Sequence, residues 1–215
     1  MPPDRWATFD CYGTLIDWNG GIRRELARVF GDERADMQLT RYHELEPALE
    51  ADGRRSYREV MSDAMRALGA PEGEEGRLAA ALPSWTPFPE VRSALDDVRS
   101  RGWKLAILSN TDRDLMDASL QQLGVPFELA IVASEIGSYK PGLRHWERFS
   151  EQVDVSRDRH VHVAQSHQHD IVPAQGLGLR SIWINRYGER RTPPPTRELP
   201  DLSRLPETLD ELVAA

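Results

Sequence analysis

Four loops of the chain carry side chains that can take part in covalent or acid–base chemistry. The first begins at Asp10, the second contains Ser109 and Asn110, the third contains Lys140, and the fourth ends in Asp170. Each residue alone has an ordinary structural explanation, because Asp, Ser and Asn form turns and cap helices, and acids stabilise a first helical turn. Together they supply a carboxylate, a hydroxyl, an ammonium and a second carboxylate, which is a set suited to a polar ligand.

Lysine is rare in this chain. Of the 27 basic residues, Lys104 and Lys140 are lysine and the rest are arginine. Lysine supplies a compact ammonium on a flexible stem, whereas arginine supplies a wide planar group. A lysine at position 140 therefore favours a role that needs a compact charge.

The four loops follow segments with the character of β-strands. Strands are predicted at 5–10, 104–109, 129–133, 160–164 and 181–185, and helices at 89–101, 112–123, 142–152, 171–176 and 206–213. Four more helices are predicted at 20–30, 36–51, 56–68 and 74–82, before a proline-rich hinge at 85–89. The segment 186–200 is interpreted as a surface excursion.

Alternating helices and strands with short connections predict an α/β fold, a doubly wound parallel sheet with helices on both faces. Residues 1–15 and 86–215 form its core, and residues 16–85 form a helical insertion after the first strand. In open parallel sheets the ligand site lies at the carboxyl ends of the strands, near the point where strand order reverses. All four loops fall at that edge, and Gly13 provides backbone that can approach a ligand closely.

Composition excludes several classes of protein. The chain has 215 residues and 40% hydrophobic content, which suffices for one core with an insertion. A net charge of -8 argues against nucleic-acid binding. No apolar run approaches the roughly 20 residues that span a bilayer, so no membrane association is expected. The charged start lacks a signal-peptide pattern and the single cysteine, Cys11, cannot form an internal disulfide, so we expect a cytoplasmic protein.

The loops together resemble the motifs of the haloacid dehalogenase superfamily. The matching segments are FDCYGT at 9–14, LSN at 108–110, YKP at 139–141 and the loop that ends in Asp170. The resemblance covers essentially the whole chain and implies a Rossmann-like core under a helical cap, here residues 16–85. It also implies that Asp10 is a nucleophile that forms an ester with the substrate, which water then hydrolyses.

The same resemblance implies roles for the neighbouring residues. Ser109 would hydrogen-bond the substrate, and Lys140 would balance the charge of the nucleophile, because an ammonium beside a carboxylate keeps it ionised. Thr14 and Asn110 would support the nucleophile loop and the leaving group.

The first motif separates two branches of the superfamily. Its phosphatases resemble one another in a D-x-D motif whose second acid protonates the leaving oxygen, whereas this chain has Tyr12 at that place. A phenol, with a pKa near 10, is a poor proton donor at neutral pH. Gln165 also stands where those phosphatases often carry an acid for Mg²⁺, an ion that prefers several oxygen ligands. Both differences point away from phosphoryl transfer.

Halide leaves without a proton, and FDCYGTLIDW is similar to the first motif of the 2-haloacid dehalogenases. The expected reaction is therefore hydrolytic dehalogenation of a small 2-haloacid to the 2-hydroxy acid through an aspartyl ester. We expect no metal and no cofactor. The expected partner is a small carboxylic acid, and the resemblance alone implies a homodimer.

This branch suggests further site residues. Its members carry an arginine on the second cap helix that faces the halogen and the carboxylate, and the stretch TRYHELE nominates Arg41. Tyr12 is expected to contact the substrate, as is Trp146, which stands where those enzymes tend to have a tyrosine. His167 replaces an asparagine of the fourth loop, and with Asp170 it is expected to position the hydrolytic water.

Three alternatives remain at the level of sequence. A phosphatase of the same superfamily would use Asp10 and Asp170 with Mg²⁺ on a small phosphate ester. A non-catalytic binder would keep the fold and the pocket without turnover. A zinc site could draw on histidines 160, 162, 167 and 169, although their order does not match the H-x-H-x-D-H pattern of metallohydrolases.

Overall fold

A twisted parallel sheet carries the reactive loops. The computed structural model describes residues 4–51 and 53–214. Its strands are β1 (Arg5–Phe9), β2 (Trp103–Ser109), β3 (Leu129–Val132), β4 (His160–Ala164), β5 (Arg180–Ile184) and β6 (Arg197–Leu199). Within this described part, the six strands pair in the order β3-β2-β1-β4-β5-β6, and every pairing is parallel. The predicted doubly wound α/β fold is confirmed.

Helices cover the sheet and fill the insertion. In the order of the chain they are α1 (Trp18–Phe30), α2 (Asp32–Glu50), α3 (Tyr57–Ala67), α4 (Arg77–Ala81), α5 (Val91–Ser100), α6 (Arg113–Leu123), α7 (Ala133–Ile136), α8 (Arg144–Gln152), α9 (Val172–Gly176) and α10 (Leu205–Leu212). The first four lie between β1 and α5, where the sequence predicts the insertion. Across the ranges 4–51 and 53–214, no helix is both long enough and apolar enough to cross a membrane.

The inner strands β1, β2, β4 and β5 are largely buried on both faces, as expected for a parallel sheet covered by helices, whereas the edge strand β6 is mostly exposed. On β1, Ala7 and Phe9 belong to the large core shared with the insertion, whereas Trp6 points to a smaller core that contains Trp146 and Phe149 of α8. Successive side chains of a strand alternate between faces. Polar residues at even positions of β1 and β4 therefore lie on the α8 side of the sheet.

The segment 186–200 differs from the sequence prediction. It includes β6, which extends the sheet at its edge by pairing Ile182 of β5 with Arg197. The sequence Arg-Glu-Leu of β6 is too short and too polar to show the alternation that identifies a strand. Pairing with a strand already in place, rather than local propensity, determines its conformation.

The strand order places the reversal point at β1. The chain runs outward from β1 through β2 and β3 on one side, and through β4, β5 and β6 on the other. Loops that leave β1 and β4 in opposite directions open a crevice at their carboxyl ends. Asp10 directly follows β1, and a wide turn at His167–Ile171 follows β4.

A close contact between α1 and the end of the insertion gives a test of this packing. A methyl group added at Gly21 would lie 2.3 Å from the ring of Trp85, which is fully buried. We expect Gly21→Ala to destabilise the fold by about 1–3 kcal/mol through overpacking, although alanine is the better helix former. Thermal unfolding followed by circular dichroism measures the change. Gly176→Ala is the matched control, because no atom lies within 4 Å of its added methyl. Equal melting temperatures for the two variants would contradict the packing.

Candidate active site

The centre of the site is a buried ammonium shared by two carboxylates. Lys140 Nζ donates to Asp10 Oδ1 at 2.9 Å, to Asp170 Oδ1 at 2.6 Å and to the carbonyl oxygen of Leu108 at 2.8 Å. Lys140 and Asp170 are almost completely buried, and Asp10 is nearly so. Since an ammonium has three protons, these three acceptors use its full donor capacity.

The nucleophile loop is fixed by one hydroxyl. Thr14 Oγ1 donates to Asp10 Oδ2 at 2.7 Å and accepts the backbone N–H of Gln165 at 2.9 Å. This hydroxyl ties the loop after β1 to the loop after β4. Gly13 lies between them with φ of +85°, and a Cβ there would approach the Gln165 side chain to 3.2 Å. Glycine is therefore required by both the backbone conformation and the close approach.

Burial and the shared charge set the protonation states. Burial raises the pKa of Asp10, and the nearby Asp170 adds to this, while Lys140 opposes both. Burial raises the pKa of Asp170, but Lys140 and His162 lower it by more, so that it falls to about 2. Burial acts to lower the pKa of Lys140, but the two carboxylates raise it above its ordinary value. The site therefore holds a charged ammonium and an ionised Asp170 at neutral pH.

A chain of buried hydrogen bonds supports Asp170 from beneath. His162 Nε2 lies 2.9 Å from Asp170 Oδ1, His162 Nδ1 lies 2.9 Å from Thr8 Oγ1, and Thr8 Oγ1 lies 2.8 Å from His160 Nε2. An ionised carboxylate can only accept, so His162 donates from Nε2 and accepts the Thr8 proton at Nδ1. Thr8 then accepts from His160, whose pKa is lowered to about 3 by burial and by His162. These histidines form a directed hydrogen-bond chain.

A cavity of about 540 Å³ opens above these groups. Its core wall includes Asp10, Tyr12, Ser109, Asn110, Lys140, His167 and Asp170; the insertion contributes Trp18, His43, Glu46, Glu50 and Tyr57; and the segment after β5 contributes Tyr187, Glu189, Arg191 and Thr192. Eight of the ten site residues predicted from the sequence, Asp10 among them, lie in this wall or directly behind it, where Thr14 bonds Asp10.

Ser109 and Asn110 lie in the floor of this cavity. The Oγ of Ser109 is buried and has no hydrogen-bond partner among the described residues, so it is available to a substrate. Asn110 accepts the backbone N–H of Lys140 at 2.7 Å and donates to the Lys140 carbonyl oxygen at 3.0 Å. Asn110 thereby fixes the backbone that carries the ammonium.

Tyr12 and His167 both line the cavity. The Tyr12 hydroxyl lies 2.8 Å from the Ser119 hydroxyl, and burial raises the pKa of Tyr12, so the phenol keeps its proton. His167 Nε2 lies 2.8 Å from the carbonyl oxygen of Pro193. A carbonyl only accepts, so Nε2 carries the proton of a neutral His167 and Nδ1 carries a lone pair.

The structure does not support two of the predicted substrate contacts. Arg41 lies on the exposed face of α2, outside the cavity, because the buried face of this helix at this level carries Tyr42 and Glu46. Trp146 is buried on the other side of the sheet, where its ring packs against His162 with centroids 5.2 Å apart. Neither side chain lines the cavity.

Three buried cavity residues of the insertion were missed by the sequence reasoning. Glu46 and Glu50 of α2 and Tyr57 of α3 are buried and line the cavity from the insertion. The available signal was the spacing of Tyr42, Glu46 and Glu50, which are four residues apart and share one helix face. From sequence alone, a polar helix face of this kind is interpreted as solvent-exposed, because the surface that packs against it is not known.

The donor set does not fit a metal ion. Asp170 Oδ1 is bonded to Lys140 and His162, and Asp10 Oδ1 is bonded to Lys140. Across residues 4–51 and 53–214, no group of three or more His, Cys, Asp or Glu side chains is placed to hold a metal. This disfavours both the zinc site and the Mg²⁺ site considered from the sequence, since Mg²⁺ prefers several hard oxygen ligands.

Comparison with known proteins shows the family to which this chain belongs. Residues 5–178 match the family model of the haloacid dehalogenase-like hydrolases. Haloacetate dehalogenase H-2 of Moraxella sp. (strain B) is 32% identical over 191 residues, which are 84% of this chain and 85% of that protein. (S)-2-haloacid dehalogenase 1 of Pseudomonas sp. (strain CBS-3) is 28% identical, over 97% of this chain and 98% of that protein. The chain therefore belongs to the haloacid dehalogenase-like hydrolase family.

The fold agreement extends to solved structures. The L-2-haloacid dehalogenase from Xanthobacter autotrophicus, with chloropropionic acid covalently bound, superposes with a TM-score of 0.84 at 17% identity. The alignment covers 96% of this chain and 98% of that one. The protein is thus a hydrolase of this family, as the motifs predicted, with dehalogenases among its relatives.

The position of Arg41 gives a direct test of the cavity. Because its side chain is exposed and lies outside the wall, we expect Arg41→Ala to change kcat/KM for the substrate by less than about twofold, as for other surface changes. Steady-state kinetics on the purified variant measures this. A loss of a hundredfold or more would show that Arg41 reaches the substrate.

The raised pKa of Asp10 determines the acid limb of activity. A protonated Asp10 cannot attack, so kcat/KM should fall as the pH falls through its pKa, which lies above the 3.8 of an ordinary aspartate. Thr14→Val removes a hydrogen bond that favours the carboxylate, so it should shift this limb to higher pH. Profiles of kcat/KM against pH for both proteins test this, and a limb at or below 3.8 in the wild type would contradict it.

Proposed function

We propose that the protein hydrolyses a carbon–halogen bond of a small 2-haloacid to give the 2-hydroxy acid, without a metal or a cofactor. The observation that carries this proposal is the Asp10–Lys140–Asp170 group at the floor of a buried cavity. Family membership and the names of the relatives support it.

The first step is displacement by the nucleophile. A carboxylate oxygen of Asp10 attacks the halogen-bearing carbon, an ester bond forms, and halide leaves with the electron pair of the carbon–halogen bond. Lys140 and Thr14 hold the Asp10 carboxylate in one orientation throughout. This orientation supplies the positioning on which such a displacement depends.

The second step is hydrolysis at the Asp10 carboxyl carbon. Asp170 Oδ2 is buried and has no hydrogen-bond partner among the described residues, so it can accept a proton of an incoming water and orient it. With a pKa of about 2, Asp170 is too weak a base to remove that proton. We assign the removal to the Nδ1 lone pair of His167 in the same cavity. The resulting hydroxide adds to the carboxyl carbon, the bond from that carbon to the product oxygen breaks, and His167 returns its proton to the product oxygen. Asp10 is regenerated as a carboxylate and one proton is released, so the net products are hydroxy acid, halide and one proton.

The surroundings of Asp10 favour a leaving group that needs no acid. Tyr12 holds its proton, because burial raises its pKa, and its hydroxyl is bonded to Ser119. The described part of the site offers no second carboxylic acid at this position of the first motif. Halide departs unprotonated, whereas an alkoxide leaving from a phosphate ester needs a proton.

The first experiment is chloride release from 2-chloropropionate in the presence of EDTA. We expect turnover under EDTA, and loss of turnover in Asp10→Asn once intact-mass measurement has excluded deamidation to aspartate. A single turnover in oxygen-18 water, with enzyme in excess, should give unlabelled hydroxy acid and label on Asp10, since water attacks the ester at the protein carboxyl.

The result distinguishes the alternatives. Label in the product after a single turnover would overturn the covalent mechanism. Failure to release halide, combined with Mg²⁺-dependent hydrolysis of p-nitrophenyl phosphate, would replace dehalogenation by the phosphatase alternative. A chain that binds these acids and turns over neither class would be the non-catalytic binder.

A further inference from the structure

The cavity lacks a free cation deep inside to bind the carboxylate of a 2-haloacid. Lys140 is saturated by Asp10, Asp170 and a carbonyl oxygen. Of the arginines in the described part of the chain, Arg191 lines the cavity, but its side chain is 56% exposed and pairs with Glu189 at 2.9 Å. An anionic substrate must therefore be held by hydrogen-bond donors rather than by a free cation.

The cap side of the cavity instead carries two buried carboxyls, Glu46 and Glu50, which we call the roof carboxyls. They are 8% and 6% exposed, and both line the cavity. They lie one helical turn apart on α2. On the floor below, the unpartnered and buried Ser109 Oγ marks the space between floor and roof as a place for a polar ligand.

Glu46 is held rigidly on one side. Its Oε1 accepts the hydroxyl of Tyr57 at 2.8 Å and that of Tyr42 at 3.1 Å, and Trp18 Nε1 donates to the Tyr57 hydroxyl at 3.0 Å. Both phenol protons are thereby committed to Oε1. Neither hydroxyl bonds Oε2, so a proton on Glu46 can be carried by that atom.

Glu50 extends the roof toward the nucleophile. Its Oε2 accepts from Asn110 Nδ2 at 3.3 Å, which joins the roof to the floor. Burial and the charge of Glu46 raise the pKa of Glu50 to about 9. Burial raises the pKa of Glu46 to about 7 against the two phenol hydrogen bonds. At neutral pH Glu50 is therefore a neutral acid, and an acid of this kind donates a hydrogen bond in a site that excludes water.

We propose that the roof carboxyls bind the carboxylate of the substrate through their own acid protons, as neutral hydrogen-bond donors in place of a cation. This proposal rests on the proposed function and names its specificity residues. The acid proton stays on the roof and is shared with the substrate carboxylate, so binding of the anion requires a protonated roof. Deprotonation would place like charges in contact within a buried site, which is strongly unfavourable.

The other titratable groups around the roof do not replace this role. Tyr42 of α2 and Tyr57 of α3 are neutral, because burial raises the pKa of each. Tyr139 also faces the roof, and burial together with the charge of Glu50 raises its pKa. Asp10 and Lys140 face it from the floor; the charge of Lys140 lowers the pKa of Glu50 and that of Asp10 raises it.

The test compares 2-chloropropionate with its neutral analogue 2-chloropropionamide. The measured quantity is the ratio of kcat/KM for the acid to kcat/KM for the amide. Asp10 attacks both substrates, so its titration changes both values by the same factor and does not affect the ratio. We expect this ratio to fall at least about tenfold between pH 6 and pH 9, as required when binding of one substrate depends on a proton. In Glu46→Gln/Glu50→Gln the amide donors are permanent, so the ratio should be flat and should exceed the wild-type ratio at pH 9.

Two control variants sharpen the test. Glu44→Gln changes the same charge on an exposed position of α2 and should keep the wild-type slope. Arg191→Gln tests the rim arginine, and loss of acid preference in this variant but not in the roof variants would overturn the proposal. Circular dichroism checks the folding of each variant. If the double variant does not fold, Glu50→Gln alone should flatten the high-pH end of the plot of the kcat/KM ratio against pH.

The outcomes separate the two proposals. Halide release from both substrates with a ratio independent of pH in the wild type would overturn the role of the roof while leaving dehalogenation intact. A kcat/KM ratio that favours the amide at every pH would overturn the role of the roof, because it would show that the roof accepts hydrogen bonds from the substrate instead of donating them. Halide release from neither substrate would overturn the proposed function. In that case, calorimetric titration with 2-hydroxypropionate in buffers of different ionisation enthalpy still measures proton uptake on binding. Absence of binding, or binding without proton uptake, would overturn the role of the roof.

Discussion

The rest of the site depends on one buried ammonium between two carboxylates. Two carboxylates this close, and this far from water, would not both stay ionised without a neutralising charge. Lys140 supplies that charge with all three of its protons, and Asn110 fixes its backbone. The nucleophile loop, the fourth loop and the third loop are therefore held to one another by electrostatics as well as by the sheet. Removing Lys140 would leave two carboxylates in the interior without an opposite charge, a change that is strongly destabilising.

The ammonium also determines what the cavity can recognise. Because its protons are fully used within the protein, Lys140 orients the nucleophile but has no donor left for a substrate carboxylate. Besides Ser109 in the floor, the buried polar groups available for recognition are Glu46 and Glu50 of the inserted helices. The site therefore joins an electrostatically balanced floor to a roof whose charge changes with pH. The chemistry and the proposed choice of substrate are thus carried by different elements, the sheet edge and the inserted helices.

The directed chain from His160 to Asp170 shows how the sheet itself takes part. Even positions of β1 and β4 place Thr8, His160 and His162 on the α8 side, in a row beneath the fourth loop. In the sequence these histidines suggested a metal site. In the fold the bridging hydroxyl of Thr8 and the carboxylate of Asp170 satisfy them, since a buried polar group without a hydrogen bond is costly. The result is an oriented Asp170 whose Oδ2 has no hydrogen-bond partner among the described residues.

Much of this protein follows from the sequence by itself. Strand periodicity, loop residues and the order of the motifs were enough for the parallel sheet, the inserted helices and the group Asp10, Ser109, Lys140 and Asp170, because the carboxyl ends of parallel strands meet at one edge. Only the tertiary structure decided the rotation of α2, which turns Glu46 inward and Arg41 outward, and the side of the sheet on which Trp146 packs. Both depend on which surface a helix finds as its partner. A helix with a polar face carries no local signal that the face will be buried, since burial is a property of the contact and not of the segment.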